Sequence, residues 1–279
     1  MSFEQNSGFR EFRIDDRRCI RYDHISLNKT ALEPENAGPG AVSRSGQHQP
    51  VGSQQDVQYI LIQPVDDHDI EALPDEVRVM EAESDADFTL IAFKINDWNR
   101  ELSPWEAPPV FGNESFSGGA DETLQYLADS LMPWIRREVV EADPVTEYRW
   151  VIGGYSLAAF FALWVVTQPE MRSAEEWTNS DRPVFYGAAA ASPSVWFPGW
   201  IPYLKEHPAN TERVYLSLGD REPRTKNPIM KTVGDRIEET QEIMERDLGE
   251  GCCVFEWNKG NHFQKNGERT GRGFAEIMK

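Results

Sequence analysis

No stretch of the chain approaches the ~20 consecutive apolar residues that a membrane-spanning helix needs, so no membrane helix is expected. The opening residues, MSFEQNSGFREF, lack the apolar core of a secretory signal. Cysteine is scarce: Cys19, Cys252 and Cys253 are the only three among 279 residues. The number is odd and two are adjacent, which argues against a disulfide framework and for a reducing cytoplasm. No C-x-x-C spacing offers a metal site, and no internal repeat is visible. Positive charge is thin as well, with 28 Lys and Arg against 47 Asp and Glu, a formal net charge of −19. Without a basic run, nucleic acid and anionic membrane surfaces are excluded as expected partners. The acidic surplus favours solubility and disfavours strongly anionic substrates, although the charge of the pocket itself matters more.

What is present belongs to a folded protein. Apolar residues make up 39% and aromatics 11%, and nine tryptophans need a core or a pocket. The length suits a single domain over residues 1–279. A run rich in Gly, Pro, Ser and Gln, from Glu33 to Gln55, reads as a loop insertion between early strands. Phe9–Tyr22 suggests a strand pair. Short apolar runs rich in β-formers follow at Val57–Gln63, Phe88–Ile95, Tyr148–Ile152, Phe185–Ala191, Val214–Leu218 and Cys252–Trp257. Helical spacing separates them: Ile70–Glu83, the series Leu124, Leu127, Leu131 and Ile135, then Leu157–Thr167 and Pro228–Asp247. Pro198–Glu206 reads as loop or short helix, and a closing helix starts at Gly273. This alternation predicts an α/β fold, a mainly parallel central sheet with helices on both faces.

The chemistry concentrates at strand ends. Gly153-Gly154-Tyr155-Ser156-Leu157-Ala158-Ala159 lies between a strand and an apolar helix. It approximates the G-x-S-x-G turn that lifts a serine hydroxyl clear of a sheet, with Ala158 at the final position. Helix dipole and free N–H groups there favour a developing oxyanion. In α/β-hydrolases the partners follow in the order Ser, acid, His. After the next-to-last strand come Gly219-Asp220-Arg221-Glu222, and after the last come Gly260-Asn261-His262-Phe263. Glu222 is the first choice of acid and Asp220 the alternative. Of five histidines, His24, His48 and His68 precede Ser156 and His207 precedes the acid strand, which leaves His262 as base. Leu157 N–H is one candidate oxyanion donor, and Asp97 or Trp98 N–H the second. The loop Asn96–Gly119, with Trp98 and Trp105, is expected to cover the pocket. Tyr155 and Trp196 are expected to line it. Asp66-Asp67-His68-Asp69 admits a metal reading but fits helix capping better, so no metal site is expected.

Together Phe116-Ser-Gly-Gly-Ala, GGYSLAAFFALW, Ala191-Ser-Pro-Ser-Val-Trp, SLGDRE and GNHF resemble the esterase group of α/β-hydrolases that includes esterase D and the enterochelin (siderophore) esterases. The likeness runs from about Val57 onward. It implies a cofactor-free serine hydrolase of small or siderophore-type carboxylic esters, with Ser156 as nucleophile, Glu222 as acid and His262 as base. Ala158 and Ala159 depart from the more usual glycines. Two alternatives stand beside it: an acyltransferase on the same fold, and an inactive hydrolase fold used for binding.

Overall fold

The computed structural model describes residues 8–26, 57–110, 112–143, 146–171 and 184–279. The expected insertion at 33–55 lies outside them. One eight-stranded sheet organises the described residues: β1 (Arg10–Ile14), β2 (Arg17–His24), β3 (Val57–Val65), β4 (Asp87–Lys94), β7 (Glu147–Tyr155), β8 (Gly187–Ala191), β9 (Arg213–Gly219) and β10 (Cys253–Asn258). A short helix, α2 (Trp98–Glu101), and a two-stranded ribbon, β5 (Glu106–Ala107) and β6 (Phe116–Ser117), lie within the 96–119 loop. The order across the large sheet is β1-β2-β4-β3-β7-β8-β9-β10. The six strands from β4 to β10 pair in parallel, while β1 and β2 form an antiparallel edge. The apolar strand runs follow from this layout: a parallel strand is covered on both faces, and all five residues of β8 are buried.

Helices cover both faces. On one side lie α1 (Asp67–Glu83) and α8 (Asn266–Ile277), packed on Tyr59, Leu61 and Phe88. On the other lie α3 (Ala120–Tyr126) with its continuation through α4 (Met132–Ile135) to Val140, then α5 (Leu157–Val165), α6 (Trp200–Glu206) and α7 (Val233–Leu248). Two π turns, Leu127–Leu131 and Arg136–Val140, interrupt the 120–140 helix, yet Leu124, Leu127, Leu131 and Ile135 all reach the core as their spacing requires. All nine residues of α5 are buried, the expected fate of a helix apolar on every side. Asp66 caps α1, its carboxylate accepting from Asp69 N–H, while Asp69 accepts from Asp66 N–H in return. The acidic run therefore satisfies a helix end.

The closing helix begins at Asn266, seven residues before the Gly273 that the sequence suggests. Three glycines, Gly267, Gly271 and Gly273, disguise it, because glycine disfavours helix in isolation. Their cause is tertiary. A Cβ on Gly267 would lie 2.6 Å from Ala72 O, and one on Gly271 would lie 2.3 Å from Glu76 O. The helices α1 and α8 thus meet backbone to backbone, a contact that no larger residue permits.

Candidate active site

The chain lays down β3 and β4 toward one edge, then returns to add β7 to β10 on the other side. At such a reversal, the carboxyl ends of parallel strands open a crevice. The loops after β7, β9 and β10 bring Ser156, Glu222 and His262 into it from positions 40 to 106 residues apart.

Ser156 holds φ at +58°, a left-handed value unusual for a residue with a side chain. Three backbone bonds fix it there: Ser156 N–H to Ala191 O, and Ser194 and Phe160 N–H to Ser156 O. The turn tolerates Ala158 because Gly154 yields the space, since a Cβ at 154 would lie 2.9 Å from the Ala158 Cβ. Ser156 Oγ is 2.9 Å from His262 Nε2, and His262 Nδ1 is 2.8 Å from Glu222 Oε2. The other carboxylate oxygen, Glu222 Oε1, accepts from Gly219 N–H and Ser192 Oγ at 2.8 Å and from Arg269 at 3.1 Å. Burial pushes the Glu222 carboxyl up. The hydrogen bond and charge of His262, with the Ser192 and Gly219 donors, outweigh that and hold it below the usual carboxylate value.

Asp220 occupies a different position. Its carboxylate accepts from Gly260 N–H at 2.9 Å, stapling the acid loop to the histidine loop on the exposed side. It makes no hydrogen bond or ion pair with His262 among the described residues.

Arg269 escapes the sequence reading. The residue is 1% exposed, and its guanidinium bonds Glu222, Ser192 Oγ and Tyr155 Oη at 3.1 to 3.2 Å and Lys259 O at 3.1 Å. Tyr155, expected in the pocket, instead lies behind the turn, where its hydroxyl donates to His262 O at 2.7 Å. Burial and the neighbouring Glu222 charge push that phenol up to about 12, so it remains a donor. Ser192 holds φ at +47° and lends its hydroxyl to the acid. Only a fold that brings β7, β8, β9 and α8 to one edge reveals these roles.

A chamber of about 280 Å³ opens over Ser156, lined by Leu157, Trp98, Phe116, Ser194 and Trp196 among others. Trp196 is on the wall of this chamber. Trp105 is not: its indole donates to Pro198 O and its ring packs on Phe197 and Tyr203. The Asp97 N–H is taken by Glu101 Oε1 at 2.8 Å. Of the two amides weighed as second oxyanion donor, Trp98 is therefore the one on the chamber wall without an internal acceptor among the described residues.

No protein-family model and no curated protein sequence matches the chain. Solved structures do match in shape. An IroE-like serine hydrolase from Shewanella oneidensis superposes with a TM-score of 0.62 at 12% identity, covering 96% of this chain and 79% of that one. The siderophore hydrolase EstB from Aspergillus nidulans gives 0.60 at 18%, covering 100% and 97%. The enterobactin esterase FES from Shigella flexneri gives 0.54 at 15%, covering 98% and 59%. At these identities the likeness establishes the α/β-hydrolase fold.

Proposed function

We propose that this chain is a serine hydrolase of small carboxylic esters. The observation that carries the reading is the unbroken hydrogen-bond chain Ser156–His262–Glu222 at 2.9 and 2.8 Å, at the mouth of the 280 Å³ chamber. His262 Nε2 takes the hydroxyl proton as Ser156 Oγ forms a bond to the ester carbonyl carbon. The electron pair moves to the carbonyl oxygen, which Leu157 and Trp98 N–H groups stabilise. The C–O bond to the alcohol then breaks, and the alcohol leaves with the proton held by His262. Water repeats the sequence on the acyl-serine, and His262 returns the proton to Ser156 as the carboxylic acid departs. Glu222 balances the imidazolium in both halves. Glu222 is favoured over Asp220 because it hydrogen-bonds the His262 ring, whereas the Asp220 carboxylate accepts from Gly260 N–H. The chemistry draws on no cofactor. Neighbours named as siderophore hydrolases and as an enterobactin esterase support a small ester as substrate.

Fluorophosphonate labelling, read by intact mass and peptide mapping, tests the reading. The expected result is one adduct on Ser156, lost in His262→Ala. Ester turnover is expected to fall on the order of 10⁴-fold or more in Ser156→Ala. No adduct under conditions that label a control esterase would overturn the reading.

A further inference from the structure

A second chamber, of about 370 Å³, adjoins the first beyond His262 and shares Trp196, Met230, His262 and Phe263 with it. Its wall carries Arg221 and Arg224. Among the described residues, neither guanidinium has an ion pair or hydrogen bond, whereas every other described arginine has one. This occurs in a chain where carboxylates outnumber cations 47 to 28. The acid between the two arginines is already engaged, because Glu222 is buried against Arg269 and His262. Residues 221–231 carry four cationic side chains (Arg221, Arg224, Lys226 and Lys231) and a single carboxylate, Glu222. The region therefore opposes the sign of the whole molecule. The backbone that bears it is fixed: Arg221 N–H donates to Gly260 O and Arg224 N–H to Arg221 O, with Pro223 in the turn between.

The two chambers have different places in the reaction. The first holds Ser156, Leu157 and Trp98, hence the carbonyl and its developing charge. The second lies past His262, the group that must hand a proton to the departing alcohol. We propose that the substrate's alcohol portion carries a carboxylate, which Arg221 and Arg224 receive, so that the product alcohol is a hydroxy acid. Planar guanidinium forks match a carboxylate in two-point geometry, and a cleft of one sign concentrates the opposite one. This proposal rests on the ester-hydrolase reading, and its test separates the two.

The substrates are 4-acetoxybenzoate and its neutral methyl ester, and the non-reacting probes are 4-hydroxybenzoate and 4-hydroxybenzamide, titrated by tryptophan fluorescence. The expected kcat/KM favours the carboxylate over the methyl ester by roughly tenfold or more, the scale of one charge-assisted hydrogen bond. The preference is expected to lie in KM, to shrink in 1 M NaCl at a Debye length of about 3 Å, and to approach one in Arg221→Gln/Arg224→Gln. Arg221→Lys/Arg224→Lys is expected to restore part of it. Binding of 4-hydroxybenzoate is expected to exceed that of the amide by a similar factor. Equal binding of acid and amide, or a preference surviving in the double glutamine variant, would overturn the anion site. Loss of turnover and of Ser156 labelling, with selective binding of the acid retained, would overturn the hydrolase reading and leave the anion site standing.

Discussion

Arg269 reaches Glu222 from the side that His262 does not, and it ties the acid, Ser192, Tyr155 and the histidine loop into one buried unit. Arg269→Met would leave the acid with neutral donors on that side. The expected cost is about 3–5 kcal/mol, the scale for breaking a buried ion pair, read by urea unfolding. Slower labelling of Ser156 should accompany it, and Arg269→Lys should rescue little, because one ammonium cannot span four acceptors. A second buried acid has no such cationic partner among the described residues. Among the described residues the Glu76 carboxylate bonds only Gln63, and burial, reinforced by the nearby Asp69 charge, pushes its carboxyl up to about 8. The folded chain keeps this proton long after the unfolded chain, with its carboxyl near 4.5, has released it. The resulting stability is full below that value and is lost as pH rises through about 8. Between pH 6 and 9, the melting temperature of Glu76→Gln is expected to fall less than that of the parent. Equal slopes in thermal denaturation would show that Glu76 does not carry the effect. At this scale the convergence of Ser156, Glu222 and His262 is an expectation that motif order and strand ends supply, whereas Trp196 enters only through the family resemblance. Arg269 and Ser192 are not, because nothing local marks a side chain whose partners lie 10 to 114 residues away.

The helix pair α1 and α8 shows how an element can hide from pattern reading. Its glycines look like helix breakers until the 2.3 Å approach at Gly271 supplies the reason for them. Gly271→Ala is expected to cost about 1–3 kcal/mol as overpacking, a drop of several degrees in melting temperature. Because α8 carries Arg269, ester turnover should decline with it. An alanine at an exposed position such as Lys279 should do neither. By contrast α5 is legible from its start at Leu157, since a helix apolar on all sides has only one place to go, although it ends at Val165 and not at the expected Thr167.

At the scale of the whole molecule, the parallel sheet follows from alternating strand and helix signals, and the antiparallel edge from the early strand pair. The sideways order β4-β3-β7 is invisible to such signals, since pairing partners are chosen by crossover geometry rather than local pattern. The net charge of −19 adds a term that no single pair reveals. Self-repulsion should make the melting temperature rise between 0.01 and 0.15 M NaCl, as the Debye length falls from about 30 Å to about 8 Å. A flat or falling profile would mean that local ion pairs dominate. The spacing of the three site residues has a kinetic consequence. Ser156 and His262 meet only after β7, β8, β9, β10 and α8 have all found their neighbours, across 106 residues of chain. Contacts between such distant residues form late, because the loops between them must close first. During refolding, the return of any fluorophosphonate labelling at Ser156 should therefore report the final step, lagging behind the recovery of helix and tryptophan burial.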